Sequence, residues 1–129
     1  MRAFETSIKK LSEGIQCGGI ARYEQDAYYR IGTDRAGNPW IVTTLWYAEY
    51  LIARAKSEGD LTAVREIFSW VAKHTLPSGV LPEQLNAHSG EPLSAAPLMW
   101  SHAAYVSTVL KYLDRVGELG LCNGCNPVP

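Results

Sequence analysis

Residues 81–102 read LPEQLNAHSGEPLSAAPLMWSH, and Glu83 stands there at the mouth of a stretch that otherwise suits burial. A carboxylate so placed can take a proton in a reaction. It can equally be a helix-cap or surface-turn carboxylate, and the residue type alone does not decide. The other chemistry-bearing residues face similar plain alternatives. Arg22 sits close to Glu24 and Asp26, so an ordinary ion pair is its simplest role. Trp40 and Trp100 fall in apolar runs, where tryptophan commonly serves as core. His102 reads as a satisfied buried histidine and Cys17 as a small buried residue. Cys122 and Cys125 make a CxxC, but zinc wants four ligands, no second pair exists, and His74, His88 and His102 are scattered. No cluster of oxygen ligands suggests calcium. No metal and no cofactor are expected.

The elements that must position these residues are read from periodicity. Phe4, Ile8, Leu11 and Ile15 share one helical face that stops near Gly14, with Gly18 and Gly19 as a break. Residues 18–40 read as a structured loop with a short strand over 27–31 and a turn over 33–37. Asn38 and Pro39 look like a helix start, Asn capping and Pro at the first position. The helix over 40–56 is apolar nearly all round, which requires enclosure on most sides. Asp60 reads as the cap of an amphipathic helix whose stripe is Leu61, Val64, Ile67, Phe68 and Val71. Pro77, Ser78 and Gly79 break it. After the Glu83 loop, in which Ser94 reads as a helix cap, a second enclosed helix runs over 98–113. Two enclosed helices and one amphipathic helix imply an inner layer wrapped by an outer one, as in part of a large α/α barrel.

Bulk properties narrow the class. The chain has 129 residues, 47% of them hydrophobic, with 12 basic and 13 acidic side chains for a net charge of −1. That is about one domain with enough apolar residues for a core, and disorder is excluded on composition. The charge balance gives no reason to expect nucleic acid or an anionic membrane as partner. No apolar run is long enough to span a bilayer, and MRAFETSIKK lacks the apolar region of a secretory signal. Three cysteines are too few for a disulfide scaffold, so a reducing cytoplasm is the default location.

LPEQLNAHSGEPLSAAPLMWSHAAY resembles the segment of glycoside hydrolase family 15, the glucoamylases, that carries the catalytic base. GGIARYEQDAYY and GNPWIVTTLWYAE resemble the two blocks that precede it, in the family's order and roughly its spacing, so the likeness covers about residues 15–113. The resemblance implies an all-α fold, a partial (α/α)6 toroid of enclosed inner and amphipathic outer helices with long active-site loops. Residues 1–116 would be the C-terminal segment of its catalytic domain, with 38–56 and 97–115 as inner helices and 60–74 as an outer one. Residues 117–129 would be a flexible Gly/Pro-rich tail. It also implies inverting release of glucose from the non-reducing ends of α-glucans, which uses two carboxyl groups roughly 6.5–9.5 Å apart. By motif position Glu83 matches the general base. Arg22 matches a sugar-binding arginine, Gln84 the residue beside the base, Ser94 a serine near the carboxylate and Trp100 a pocket tryptophan. Gln25 stands where a carboxylate is expected. No acidic residue here matches the motif of the general acid, so the chain alone is expected not to hydrolyse glycosides, and its partner would be the remaining N-terminal part of the toroid. The competing expectations are a non-catalytic helical module that binds sugar or a partner chain, and a truncated remnant.

Overall fold

The computed structural model describes residues 2–30 and 37–122, with the backbone alone for Arg2. The turn expected over 33–37 therefore lies almost wholly outside the described residues, as do residues 123–129 of the expected tail.

Among the described residues there are four α-helices: α1 (Arg2–Ser12), α2 (Ile41–Arg54), α3 (Thr62–Lys73) and α4 (Met99–Glu118). A small antiparallel ribbon joins them. Its strands are two residues each: β1 (Ile20–Ala21), β2 (Pro39–Trp40), β3 (Gln84–Leu85) and β4 (Pro92–Leu93), in spatial order β1-β2-β3-β4. Ile20 pairs with Trp40, Trp40 with Gln84 and Gln84 with Leu93. The first amide of α2 extends this row, since Ile41 N donates to the Glu83 carbonyl at 3.2 Å.

α2 is the axis of packing. Ile41, Val42, Thr44, Leu45, Ala48 and Ile52 are all buried on it. Its first half shares a core with Val71 of α3, Leu81, Leu85 and Ala104 of α4. Its second half packs with Leu61 and Val64, flanked by Ile67, Phe68, Tyr112 and Val116. The α3 stripe therefore faces inward as its periodicity predicts, while Arg65, Glu66 and Lys73 are exposed. Polar ties hold α4 to α2: Lys111 Nζ meets Glu49 Oε2 at 2.6 Å, and Arg115 donates to the Ile52 and Ala53 carbonyls at 3.2 and 3.0 Å. α1 meets α2 through Phe4, whose ring lies 4.1 Å from that of Tyr50, and it also lies against β1, with Lys10 3.6 Å from Glu24.

Several local expectations are corrected. Asn38 does not cap α2: the cap position is Trp40, with no side-chain bond, because Pro39 and Trp40 are taken up by the ribbon. Thr44 Oγ1 instead donates to the Trp40 carbonyl at 2.7 Å and accepts from Ile20 N at 3.0 Å, tying helix start to β1. Asp60 does not cap α3. Its Oδ2 points backward and accepts from Lys56 N, Ser57 N and Ser57 Oγ at 2.9–3.0 Å. Ser94 is not a cap either, since α4 begins after Leu98. Residues 27–30 form no strand; the extended pair lies earlier, at β1. α4 is not enclosed by the described residues. Ser101, Ala104 and Thr108 are its buried positions, whereas Met99 is 80% exposed and Val106 57%.

Close approach explains Gly19. Its φ is +88°, and a Cβ there would lie 2.5 Å from the Trp70 ring and 2.8 Å from Pro39 Cβ. Only glycine allows β1 to lie so near both.

Candidate functional site

Alternation along the ribbon gathers the site. Asn38 and Trp40 are two apart and so share a face, and Gln84 lies directly opposite Trp40. Arg22 follows β1, Glu83 precedes β3 and Ser94 follows β4.

Arg22 Nε and Nη2 donate to the two carboxylate oxygens of Asp26 at 3.0 and 3.1 Å. Asp26 is 1% exposed and also accepts from Tyr28 N at 3.1 Å, which folds residues 22–28 into a tight loop. The Asp26 hydrogen bond pushes the Arg22 guanidinium above its ordinary value. That guanidinium sits 4.4 Å from the Trp40 ring centre, 4.9 Å from Tyr23 and 5.6 Å from Tyr28. The ion pair of the plain reading is thus present, made with Asp26; Glu24 lies 3.6 Å from Lys10 instead.

Tyr28 bridges toward the base loop. Its ring is 6.2 Å from Trp40 and its hydroxyl 3.4 Å from Ser94 Oγ. Ser94 has φ +63°, a left-handed conformation unusual for serine, which turns its hydroxyl to this side. Glu83 is half-buried. Its Oε2 accepts from Gln84 Nε2 at 3.3 Å, and its own N–H donates to the Ala95 carbonyl at 2.9 Å. Gln84 is fully buried and its Oε1 accepts from Asn38 Nδ2 at 2.9 Å. Among the described residues Trp40 Nε1 is buried with no hydrogen-bond partner, an uncommon state for a tryptophan donor.

The start of α4 is pinned beside Glu83. Ser101 Oγ donates to the Pro82 carbonyl at 2.8 Å, Leu98 N to the Leu81 carbonyl at 3.1 Å, and Leu81 N to His102 Nε2 at 3.0 Å. His102 is therefore a satisfied acceptor. Trp100, on the same first turn, is half exposed and meets Trp46 edge-on at 5.6 Å.

Arg22, Gln84, Glu83 and Ser94 are thus joined through Asn38, Trp40 and Tyr28. Trp100 stands on the adjoining turn with a different aromatic partner. From the sequence alone Tyr28, Asn38 and Asp26 have no site role, and Trp40 reads as a core aromatic. Tyr28 and Asp26 have a readable signal in the spacing of Arg22, Asp26 and Tyr28 along one short loop. Asn38 has none, because its pattern matches a helix cap. Cys17 lies apart, its thiol donating to the Asn86 carbonyl at 3.3 Å and pushed up in pKa by burial. Among the described residues there is no group of three or more His, Cys, Asp or Glu that could hold a metal ion, and no helix long and apolar enough to cross a membrane.

A mostly helical body that presents its polar residues on loops at the start of α2 and α4 is part of a helical toroid. The chain belongs to the glycosyl hydrolases family 15, whose model matches residues 3–110. It is 39% identical over 98 residues to an uncharacterized glycosyl hydrolase of Methanocaldococcus jannaschii, covering 69% of this chain and 15% of that protein. It is 30% identical over 115 residues to the isomaltose glucohydrolase of Kribbella flavida, covering 81% and 26% respectively. The glucoamylase structure from Hypocrea jecorina superposes with a TM-score of 0.57 at 22% identity, over 99% of this chain and 28% of that one, which establishes the shared fold. The chain thus spans between a seventh and under a third of these relatives.

Proposed function

We propose that this chain supplies the general-base side of an inverting glycoside hydrolase site that releases glucose from the non-reducing ends of α-glucans. Relatives that act as glucoamylase and isomaltose glucohydrolase support that substrate class. The observation that carries the reading is the placement of Glu83. Its carboxylate is half-buried, holds one donor from Gln84, and belongs to the same bonded cluster as an arginine fork and three aromatic rings.

In the reaction, Glu83 accepts a proton from water as that water attacks the anomeric carbon. A second carboxylic acid on the far side of the bond protonates the leaving oxygen. No described acidic residue is assigned that role: Asp26 is committed to Arg22, and Glu49 to Lys111 and Thr108. The acid comes from the remainder of the toroid. Among the described residues Arg22 spends Nε and Nη2 on Asp26 and Tyr23, so Nη1 is the nitrogen assigned to a sugar hydroxyl. Gln84 and Ser94 hold the base loop, and the indole of Trp100 offers an apolar face to a pyranose ring. The 129-residue chain alone is inactive under this reading.

The test combines the chain with the complementary part of the toroid and measures glucose released from maltooligosaccharides. Glu83→Gln should lower kcat at least about a hundredfold while substrate still binds, because a general base contributes on the order of 10²–10⁴. Undiminished turnover in that variant removes Glu83 from the mechanism. Binding without any release by the combined wild-type pieces points to a sugar-binding module.

A further inference from the structure

We infer that Asn38 is a positioning residue for Glu83, acting through a one-way relay of hydrogen bonds that starts at the Tyr29 backbone carbonyl. This rests on the assignment of Glu83 as the base. Asn38 Nδ2 donates to the Tyr29 carbonyl and to Gln84 Oε1, both at 2.9 Å. Gln84 Nε2 then lies 3.3 Å from Glu83 Oε2. A side-chain amide can usually be turned end for end, but a backbone carbonyl only accepts. Tyr29 therefore fixes which end of Asn38 faces it. Both protons of the Asn38 amide are then in use, and the second one dictates that Gln84 presents its oxygen to Asn38. The NH2 end of Gln84 is left facing Glu83.

Burial enforces this order. Asn38 is 2% exposed and Gln84 0%, so water cannot compensate a reversed amide. Reversal would set oxygen against oxygen at the Tyr29 carbonyl. It would also turn Gln84 Oε1 toward Glu83, an arrangement only a protonated carboxyl could accept. The relay thus selects an arrangement that suits the ionised carboxylate, the form a base needs. Tyr29 has φ +54°, so its carbonyl is aimed by an unusual backbone conformation in the very loop that carries Arg22. The relay joins the Arg22 loop to the base loop across β2.

The experiment uses side-chain amide resonances of the full chain labelled with ¹⁵N. In the wild type, the Gln84 NH2 protons should show close contacts to the Glu83 methylenes, and the Asn38 NH2 protons to Tyr29. Gln84 NH2 protons found against Asn38 instead would overturn the proposal. Asn38→Asp keeps the shape and cannot donate. The new carboxylate only accepts, so it should turn the buried Gln84 amide end for end, bringing its NH2 protons toward position 38 and abolishing their contacts to Glu83. A folded Asn38→Asp chain with an unchanged Gln84 pattern also overturns it, because a residue that only packs would leave those signals in place. If that variant does not fold, the wild-type contacts decide alone. These resonances report the relay whether or not Glu83 catalyses, and the Glu83→Gln assay reports catalysis whether or not the relay exists.

Discussion

Arg22 balances two demands, a buried carboxylate on one side and aromatic faces on the other. Its fork satisfies both oxygens of Asp26, which is almost fully buried, and its plane lies near Trp40 at 4.4 Å. Removing the guanidinium leaves Asp26, among the described residues, with the Tyr28 amide and little solvent. Arg22→Ala should therefore cost about 2 kcal/mol, the scale of a charged partner left without its hydrogen bonds. Arg22→Lys should recover only part of it, because an ammonium cannot make the planar two-oxygen contact. Urea denaturation midpoints of the three proteins check this; an unchanged midpoint for Arg22→Ala would show that the Asp26 pair contributes nothing. Sequence made an ion pair readable here but not its partner. Glu24 is two residues from Arg22 and Asp26 four, so nearness along the chain picks the wrong one; the turn at residues 23–26 directs Asp26 inward and Glu24 toward Lys10.

The helices were legible where their burial is settled locally. The stripe of α3 faces the core because Leu61, Val64 and Val71 meet α2 directly. The caps were not legible. Asn38 and Asp60 carry the right side chains for capping, yet tertiary contacts use them elsewhere, one in the ribbon and one in the turn after α2. Two-residue strands leave no periodicity to read. The Asp60 turn carries a pH signature. Its hydrogen bonds from Lys56 N, then Ser57 Oγ, hold the carboxyl below its ordinary value. A lowered folded pKa means the unfolded chain binds more protons in that window. The stabilisation is complete above about pH 4, the ordinary aspartate value, and fades as pH falls through the lower folded value. Asp60→Asn should then be less stable than wild type at pH 7, with the difference shrinking below about pH 4. Thermal unfolding of both proteins from pH 7 to 2.5 checks this, and a difference that stays constant or widens on acidification refutes it. The carboxylate is exposed, so the effect is small.

At the scale of the molecule, α4 reads differently in sequence and in structure. Its apolar run predicts enclosure, but Met99, Val106, Leu110 and Leu113 are 80%, 57%, 55% and 40% exposed. With Ala103 they form a stripe at alternating spacings of four and three, and Met99, Ala103, Val106 and Leu110 line one shallow apolar groove on the face turned away from α2. The stripe suits burial against a further layer, which the described residues do not supply. Covering these side chains is worth about 1–2 kcal/mol each, since part of each is already buried. A stripe of that size on a lone chain drives association. The purified chain should therefore sediment as dimers or larger species at micromolar concentration. Val106→Lys combined with Leu110→Glu should shift it to monomer with the far-ultraviolet helix signal unchanged, because neither side chain contributes to the core shared with α2. The same pair of changes should weaken the recovery of glucose release with the rest of the toroid while leaving the Glu83 cluster intact. A wild-type chain that stays monomeric at 100-fold higher concentration, on the order of 100 μM, would mean that this face needs no cover.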